Sequence, residues 1–348
     1  MCGITAYIGN KNASEKLVNG LKRLEYRGYD SAGVATLKNG IEVRKDTGEI
    51  EDIDEMHNLT SMEGDIGLGH TRWATHGGVT RENAHPHTSC DGRITLVHNG
   101  IIENYEEIKS ELEGHEFTSE TDSEVVAHFF EEKLEEGTET REAIKKFMGK
   151  AEGTYAIVLL DSEEEKIYAI KKKSPLALGL GEGEYYIGSD IYAFSNYTDK
   201  AVFLGDDEFA VIDREGYEVY SKNGEKKEKE VKKFDWTQEE GEKEEHDHYM
   251  IKEIKEQPKV TKRLLKTFKT SQKKDLNRFL DLIEDHEKVI FTSAGTSYHA
   301  SLLGVYYLQK AGVEAQALIA SEFQNYERVD EDTLVIAVSQ SGETMDVL

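Results

Sequence analysis

The chain opens Met1-Cys2-Gly3-Ile4, so removal of one methionine would make Cys2 the N-terminal residue. A processed Cys2 carries a nucleophilic sulfur and a free α-amine on the same residue. That amine has an ordinary pKa of about 7.7–8.0, so near neutral pH part of it is an unprotonated base. Nucleophilic catalysis needs a nucleophile with a base in reach, and an N-terminal amine is one way to supply the base. Read alone, a cysteine at position 2 is more often a small, inert apolar residue. Four other stretches change that balance. His70-Thr71-Arg72-Trp73-Ala74-Thr75-His76-Gly77 holds an arginine, whose guanidinium binds carboxylates as a fork; the bland reading is a surface arginine beside a core tryptophan. His98-Asn99-Gly100 ends an apolar strand, and the Asn99 amide with the Gly100 N–H could donate to a developing oxyanion. Asn-Gly by itself is simply a turn. Asp122, in Thr121-Asp122-Ser123, is either a helix cap or the partner of a substrate ammonium. Arg27, in Tyr26-Arg27-Gly28-Tyr29-Asp30, either holds the N-terminal residue in place or serves the fold. Singly none of these decides. Together they supply a nucleophile, a base, oxyanion donors, a carboxylate clamp and an ammonium partner, the inventory for hydrolysing an amide on a free α-amino acid.

The elements that must position these residues follow from pattern. Residues 2–9 alternate and favour a strand. Ser14 then caps a helix with Leu17, Val18, Leu21 and Leu24 at helical spacing. The stretch 27–33 breaks that helix, and Val34–Leu37 begins another strand. Residues 64–79 and 93–102 read as glycine- and histidine-bearing loops between short apolar strands. Helices are predicted at about 103–113 and 122–135, and strands at 154–160, 166–171, 185–188, 201–204 and 209–213. Alternating strand groups and paired helices imply an α+β layered sandwich. Residues 221–248 are mostly Lys, Glu and Asp, and read as a solvated linker between a first domain (2–220) and a second (249–348). The second domain begins with a helix at 249–257, interrupted at Pro258, and a helix at 260–268. Two strand-to-polar-loop units follow, at 289–297 and 333–344, which is βαβ character and implies a parallel sheet. Two strands do not make a covered sheet, so this domain is expected to be truncated.

The 348 residues suit about two domains. Lys plus Arg number 43 against 69 Asp plus Glu, a net charge of −26, which argues against nucleic acid or an anionic membrane surface as a general partner. The two cysteines, Cys2 and Cys90, do not make a disulfide framework. No segment reads as a signal peptide or a membrane span, so the expected location is the cytoplasm. His70, His76, His85, His87 and His98 lack the paired spacing of a zinc site, and His246 and His248 read as solvated. No metal and no cofactor is expected.

The motifs, taken in order, resemble a known family. CGI at the start, LEYRGYDSAG (24–33), HTRWATHG (70–77), NAHPH (83–87), HNGIIEN (98–104) and SETDSEV (119–125) are similar to the N-terminal-nucleophile (Ntn) glutaminase domain, a four-layer αββα sandwich. HYMIKEIKEQP (248–258), AGTSYHAS (294–301), ASEFQNY (320–326) and SQSGET (339–344) are similar to the sugar isomerase (SIS) domain of the glutamine–fructose-6-phosphate aminotransferases. The resemblance implies Cys2 as nucleophile with its own α-amine as base, and Asn99 and Gly100 as the oxyanion hole. It implies Arg72 on the glutamine α-carboxylate, with Thr75 and His76 lining the same site, and Asp122 on the α-ammonium. Trp73 would gate ammonia passage, with Arg27 and His85 supporting. Ser297, Ser339, Gln340, Ser341 and Thr344 would bind the phosphate of D-fructose 6-phosphate. That reading has independent physics: hydroxyls and N–H groups at a strand-to-helix turn are a ready anion site. The implied reaction passes ammonia from L-glutamine to D-fructose 6-phosphate, giving D-glucosamine 6-phosphate and L-glutamate, and the implied assembly is a homodimer through the SIS region of a full-length protein. The family's second SIS half, which carries the isomerisation residues, has no counterpart here. Two other readings compete: a glutaminase feeding another acceptor, similar to amidophosphoribosyltransferase, and a non-catalytic sugar-phosphate sensor.

Overall fold

The structure, a computed structural model, describes residues 2–74, 77–234, 249–325, 329–340, 344 and 346–347. Thr75, His76, Ser341 and residues 235–248 lie outside the described residues. The chain forms two compact units, Met1–Glu244 and Glu245–Leu348.

In the first unit β1 (Gly3–Ile8) leads to α1 (Ala13–Leu24), β2 (Ser31–Leu37), β3 (Ile41–Thr47), α2 (Ile50–His57) and β4 (Ile66–Arg72). Then come β5 (His87–Thr88), β6 (Ile94–Ile102), α3 (Tyr105–Glu111), α4 (Asp122–Glu135) and α5 (Thr140–Lys150). Strands β7 (Gly153–Asp161), β8 (Lys166–Lys172), β9 (Ala177–Leu180), β10 (Tyr185–Gly188) and β11 (Lys200–Phe203) follow. The unit ends with β12 (Glu208–Ile212), β13 (Tyr217–Ser221), β14 (Lys226–Lys227) and β15 (Lys232–Lys233). Among the described residues these strands make two antiparallel sheets, ordered β15-β11-β9-β10-β1-β4-β2-β3 and β14-β13-β12-β8-β7-β6-β5.

The layers follow from which faces are apolar. Ile4, Ala6 and Ile8 alternate along β1 and pack with Leu68 against Val97, Val158 and Ala169, so the two sheets share one core. On the outer face of the first sheet Leu17, Leu21 and Leu24 of α1 and Ile50 and Ile53 of α2 pack with Val34 and Phe194. On the outer face of the second, Phe129, Phe130, Ile144 and Phe147 from α4 and α5 pack with Leu96, Ile157 and Leu159. The result is the four-layer αββα sandwich of the Ntn fold.

Several elements differ from the sequence reading. Asn12, not Ser14, caps α1, accepting the Ser14 N–H at 3.4 Å, while the Ser14 hydroxyl donates to the Thr60 carbonyl at 2.8 Å. The expected loop at 64–79 contains β4, buried on both faces between β1 and β2. The expected loop at 93–102 is β6, paired along its length with β7. The stretch from 221, expected as solvated linker, begins with paired backbone: β14 on β13 and β15 on β11.

In the second unit α6 (Tyr249–Lys269) runs unbroken through Pro258, so the expected interruption is absent. A proline removes one N–H bond and crowds the carbonyl of the preceding turn, yet the helix spans Tyr249–Lys269 with Pro258 inside it. After α7 (Lys273–Glu284), β16 (Lys288–Ser293), α8 (Gly295–Lys310), β17 (Glu314–Ile319) and β18 (Thr333–Val338) form a parallel sheet in the order β17-β16-β18. The chain leaves β16 through α8 toward β17, whereas β18 lies on the other side. The C-terminal ends of β16 and β18 therefore flank a topological switch point, the usual place for a ligand in such sheets.

Candidate active site

Strand register brings Cys2 to its neighbours. β1 runs antiparallel to β4 with Gly3 opposite Thr71, so the next residue back, Cys2, falls opposite Arg72 at the end of β4. Opposed residues of an antiparallel pair point to the same face. The sulfur of Cys2 accepts the Trp73 N–H at 3.3 Å. Burial pushes the Cys2 thiol up, while that N–H and the charges of Arg72 and Arg27 pull it down. Burial prevails, so the resting sulfur is a thiol that needs a base in order to attack.

Two side chains converge on the Cys2 carbonyl. The Arg27 Nε–H donates to it at 3.1 Å, and the guanidinium also reaches Asp190 at 3.5 Å. The Asn99 Nδ2 donates at 3.0 Å. Asn99 is itself oriented by His70, whose Nε2–H lies 2.9 Å from the Asn99 Oδ1 and 3.1 Å from the His98 carbonyl. Both of these atoms are acceptors, so His70 is the Nε2–H tautomer and the Asn99 NH₂ faces Cys2. Gly100 follows with φ +129°, and a Cβ there would lie 2.0 Å from the Thr154 carbonyl, so only glycine fits.

Cys2, Arg72, Gly100 and Asp122 line one pocket, with Trp73, His85, His98, Ile101, Tyr105, Thr121 and Ser123 completing its wall. Arg72 is 5% exposed and donates from Nη1 to the Gly78 carbonyl at 3.2 Å. Asp122 is not the cap of α4, a position held by Thr121, but its first residue. Its Oδ2 accepts the Ile102 N–H at 2.8 Å, and His98 Nδ1 with the Ser123 hydroxyl forms a 2.9 Å bond beside it. Trp73 is 42% exposed and meets Tyr29 edge-on at 5.3 Å. The loop carrying Tyr29 is fastened to this segment by the Asp30 carboxylate, which accepts the Ala74 N–H at 2.8 Å, and by the Asp30 N–H on the Arg72 carbonyl at 3.0 Å.

Behind the pocket stand buried imidazoles. His85 stacks on His70 with centroids 4.2 Å apart and meets His87 edge-on at 4.6 Å. Burial drives His70 down to about 3, and it also holds His85, His87 and His98 below the ordinary histidine range. All four are neutral near pH 7. As pH falls below about 6.5 the unfolded chain takes up protons on these rings, whereas the folded chain does not until the depressed values are reached. The unfolded state then binds more protons, so stability falls with pH by up to about 1.4 kcal/mol per pH unit for each ring. Thermal melts should show a lower midpoint at pH 5 than at pH 7. An unchanged midpoint would contradict buried, neutral rings.

Sequence reasoning did not single out the orienting role of His70 or the pocket wall from Ile101, Tyr105 and Ser123. Strand period offered one signal: His70 and Arg72 are two apart and share a face. Glu124 was also missed. Although burial opposes its charge, the His128 imidazole 3.9 Å away, with bonds from the N–H and hydroxyl groups of Thr118 and Ser119 at 2.7–2.8 Å, holds this carboxyl well below the usual range. It fixes the loop that delivers Thr121 and Asp122.

In the second unit Ser297 lies in the first turn of α8, after β16, with its carbonyl accepting the Ser301 hydroxyl at 2.9 Å. Ser339 follows β18, its hydroxyl 3.0 Å from that of Thr344, and Gln340 beside it is exposed. Ser297 and Ser339 thus lie beyond the C-terminal ends of adjacent strands.

Comparison with known proteins agrees with both units. Residues 43–211 match the glutamine amidotransferase domain, and residues 282–348 match the SIS domain. The glutamine–fructose-6-phosphate aminotransferase (isomerizing) of Thermococcus kodakarensis is 46% identical over the whole chain, which covers 58% of that protein. That of Clostridium tetani is 45% identical, also over the whole chain, which covers 59% of it. The chain therefore spans a little under three fifths of the length of these relatives. A Bacillus subtilis glutamine phosphoribosylpyrophosphate amidotransferase shares the fold, with a TM-score of 0.57 at 20% identity, over 91% of this chain and 65% of that one. With an Ntn sandwich that places Cys2 beside Arg72 and Asn99, the chain carries a glutamine amidotransferase domain followed by an SIS domain, and over its whole length it is similar to the glutamine–fructose-6-phosphate aminotransferases.

Proposed function

We propose that the first unit hydrolyses L-glutamine at Cys2, and that the second binds D-fructose 6-phosphate as acceptor of the released ammonia. The observation that carries this reading is the convergence of Cys2, Arg72, Gly100 and Asp122 on one pocket, with the Asn99 amide 3.0 Å from the Cys2 carbonyl. Glutamine enters with its α-carboxylate on Arg72 and its α-ammonium on Asp122. The amine of processed Cys2 takes the thiol proton as sulfur bonds to the side-chain carbonyl carbon. The oxygen becomes an anion held by the Asn99 Nδ2–H and the Gly100 N–H. The C–N bond then breaks, ammonia leaves with the proton returned by the amine, and a γ-glutamyl thioester remains. Water, deprotonated by the same amine, releases glutamate and restores the thiol. Trp73, at the pocket rim, gates the departing ammonia. Hydroxyls of Ser297, Ser339 and Thr344, with Gln340, take the sugar phosphate at the switch point. D-Glucosamine 6-phosphate then forms where a second SIS half completes the isomerase. Sugar phosphates are intracellular metabolites, so a cytoplasmic location fits this reading. Exposed apolar residues on the second unit, among them Met250, Leu265, Leu303 and Tyr307, fit association of two copies through the SIS region.

Incubating the purified chain with L-glutamine should release glutamate, and intact mass should show loss of Met1. Absence of glutamate release from protein lacking Met1 would sink the glutaminase reading. Fructose 6-phosphate should raise the thermal midpoint; stabilisation only by phosphoribosyl pyrophosphate would instead favour the amidophosphoribosyltransferase-like acceptor.

Gly28 tests the brace on Arg72. A Cβ there would lie 2.6 Å from the Trp73 nitrogen and 2.7 Å from the Arg72 carbonyl carbon, both backbone atoms that cannot step aside. Gly28→Ala should therefore displace Arg72 and Trp73 together. Misplacement by about 1 Å costs on the order of 10²-fold in rate, and glutamine turnover should fall on that scale while far-ultraviolet circular dichroism is unchanged. Full activity in this variant would show that the loop does not set the site.

A further inference from the structure

Cys90, His115, His128 and Glu131 come from three separate segments and bring one ligand atom each to within 4.8 Å of one another. Cys90 lies in the turn between β5 and β6, His115 in the loop between α3 and α4, and His128 and Glu131 one turn apart on α4. The Cys90 sulfur is 3.7 Å from His128 Nδ1 and 4.0 Å from His115 Nδ1. Glu131 Oε2 is 2.9 Å from His115 Nδ1 and 3.0 Å from His128 Nδ1. At zinc bond lengths a tetrahedron separates N and O ligand atoms by about 3.3 Å, and S from N by about 3.6 Å. Those four separations match that spacing to within a few tenths of an ångström, and every pair in the set lies within 4.8 Å.

The surroundings are those of a ligand set. A metal-bound imidazole usually turns its other nitrogen to a carboxylate. Here His115 Nε2 faces Glu132 at 3.9 Å and His128 Nε2 faces Glu124 at 3.9 Å. The His128 Nε2 is buried with no hydrogen-bond partner at normal distance. Glu131 is fixed by the backbone N–H groups of Cys90 at 3.0 Å and Asp91 at 2.7 Å. His128 and Glu131 are buried, whereas Cys90 is exposed, which leaves an entry path for an ion.

We propose that Cys90, His115, His128 and Glu131 form a tetrahedral site for a single borderline-soft divalent cation, Zn²⁺ by preference. One thiolate, two imidazoles and one carboxylate are a zinc-type donor set, and four protein ligands make a closed, structural site. The ion fastens the β5–β6 turn and the 112–121 loop to α4. The strand after that turn carries Asn99 and Gly100, and the helix begins at Asp122, so the site ties together two elements that build the glutamine pocket. Without metal, the same atoms form a carboxylate bridging two imidazoles beside a free thiol.

The test uses the full chain with Cys2→Ala, which leaves Cys90 as the lone thiol, stripped with chelator and titrated with Co²⁺ and then Zn²⁺. One equivalent of Co²⁺ per chain should bind with the visible bands of a tetrahedral ion and a thiolate charge-transfer band, and Zn²⁺ should displace it. Adding Cys90→Ser should abolish the charge-transfer band. It and His115→Ala should each weaken binding by more than about 100-fold, beyond the roughly 10–100-fold loss of an outer partner. Zn²⁺ should also shield the unsubstituted Cys90 from alkylation, a readout that does not depend on how the variants fold. No charge-transfer band, no protection from alkylation, or equal binding after Cys90→Ser and His115→Ala would overturn the site.

Discussion

Cys2→Ala lowers the kcat for glutamine hydrolysis by a factor on the order of 10⁴ or more, the scale on which hydrolases lose rate when the nucleophile is removed. The effect falls on kcat because no other thiol lines the pocket among the described residues, while the groups assigned to glutamine binding stay in place. Arg72 is anchored by Gly78 at 3.2 Å and Asp122 by the Ile102 N–H at 2.8 Å, and neither anchor involves Cys2. Glutamine should therefore still raise the thermal midpoint of the variant. Cys2→Ser should be nearly as inactive, because an α-amine near pKa 8 is a poor match for a hydroxyl far less acidic than a thiol. Rapid quench with labelled glutamine should find a thioester-linked γ-glutamyl group on the wild-type chain alone. Substantial turnover by Cys2→Ala would move the chemistry to another residue.

Much of this site was legible because its residues carry chemistry that other positions seldom require. A second-position cysteine, an arginine in HTRWATHG and an asparagine before a glycine decided nothing singly but together suggested one reaction, and the fold sets Cys2 and Arg72 on one pocket wall with the Asn99 amide 3.0 Å from the Cys2 carbonyl. The helical spacing of Leu17, Val18, Leu21 and Leu24 was equally plain, since one face of α1 is buried and the other is wet. β4 was not legible. It is buried on both faces, which erases the two-residue alternation that marks a strand, and Gly67 and Gly69 dilute its apolar signal where α1 packs against it. The run through Pro258 was misread because local rules see a missing N–H and not the helical bonds on either side. The Cys90 cluster was hidden for another reason. Its four residues span 41 positions in an irregular spacing, and only the packing of a turn and a loop onto α4 brings them together. The sequence reading weighed histidines 70 to 98 as a metal set; the structure spends four of them, His70, His85, His87 and His98, as neutral buried rings.

The orienting role of His70 makes Asn99 the second position of large effect. An oxyanion donor acts only if its N–H points at the place where negative charge develops, and an asparagine amide can be flipped to present oxygen there instead. Here the flip is blocked: His70 gives its Nε2–H to the Asn99 Oδ1 at 2.9 Å, and burial keeps that ring neutral with the proton on this nitrogen. Asn99→Ala should lower kcat by about 10²–10³, equivalent to roughly 2.7–4 kcal/mol of transition-state stabilisation, with little change in KM. Asn99→Asp should be at least as damaging, because it places a carboxylate where an anion must form. His70→Gln retains a donor at lower precision and should lose less, again in kcat. Steady-state glutamate release across the three variants gives the ranking. A loss confined to KM in Asn99→Ala would place this amide on the bound substrate and not on the developing oxyanion.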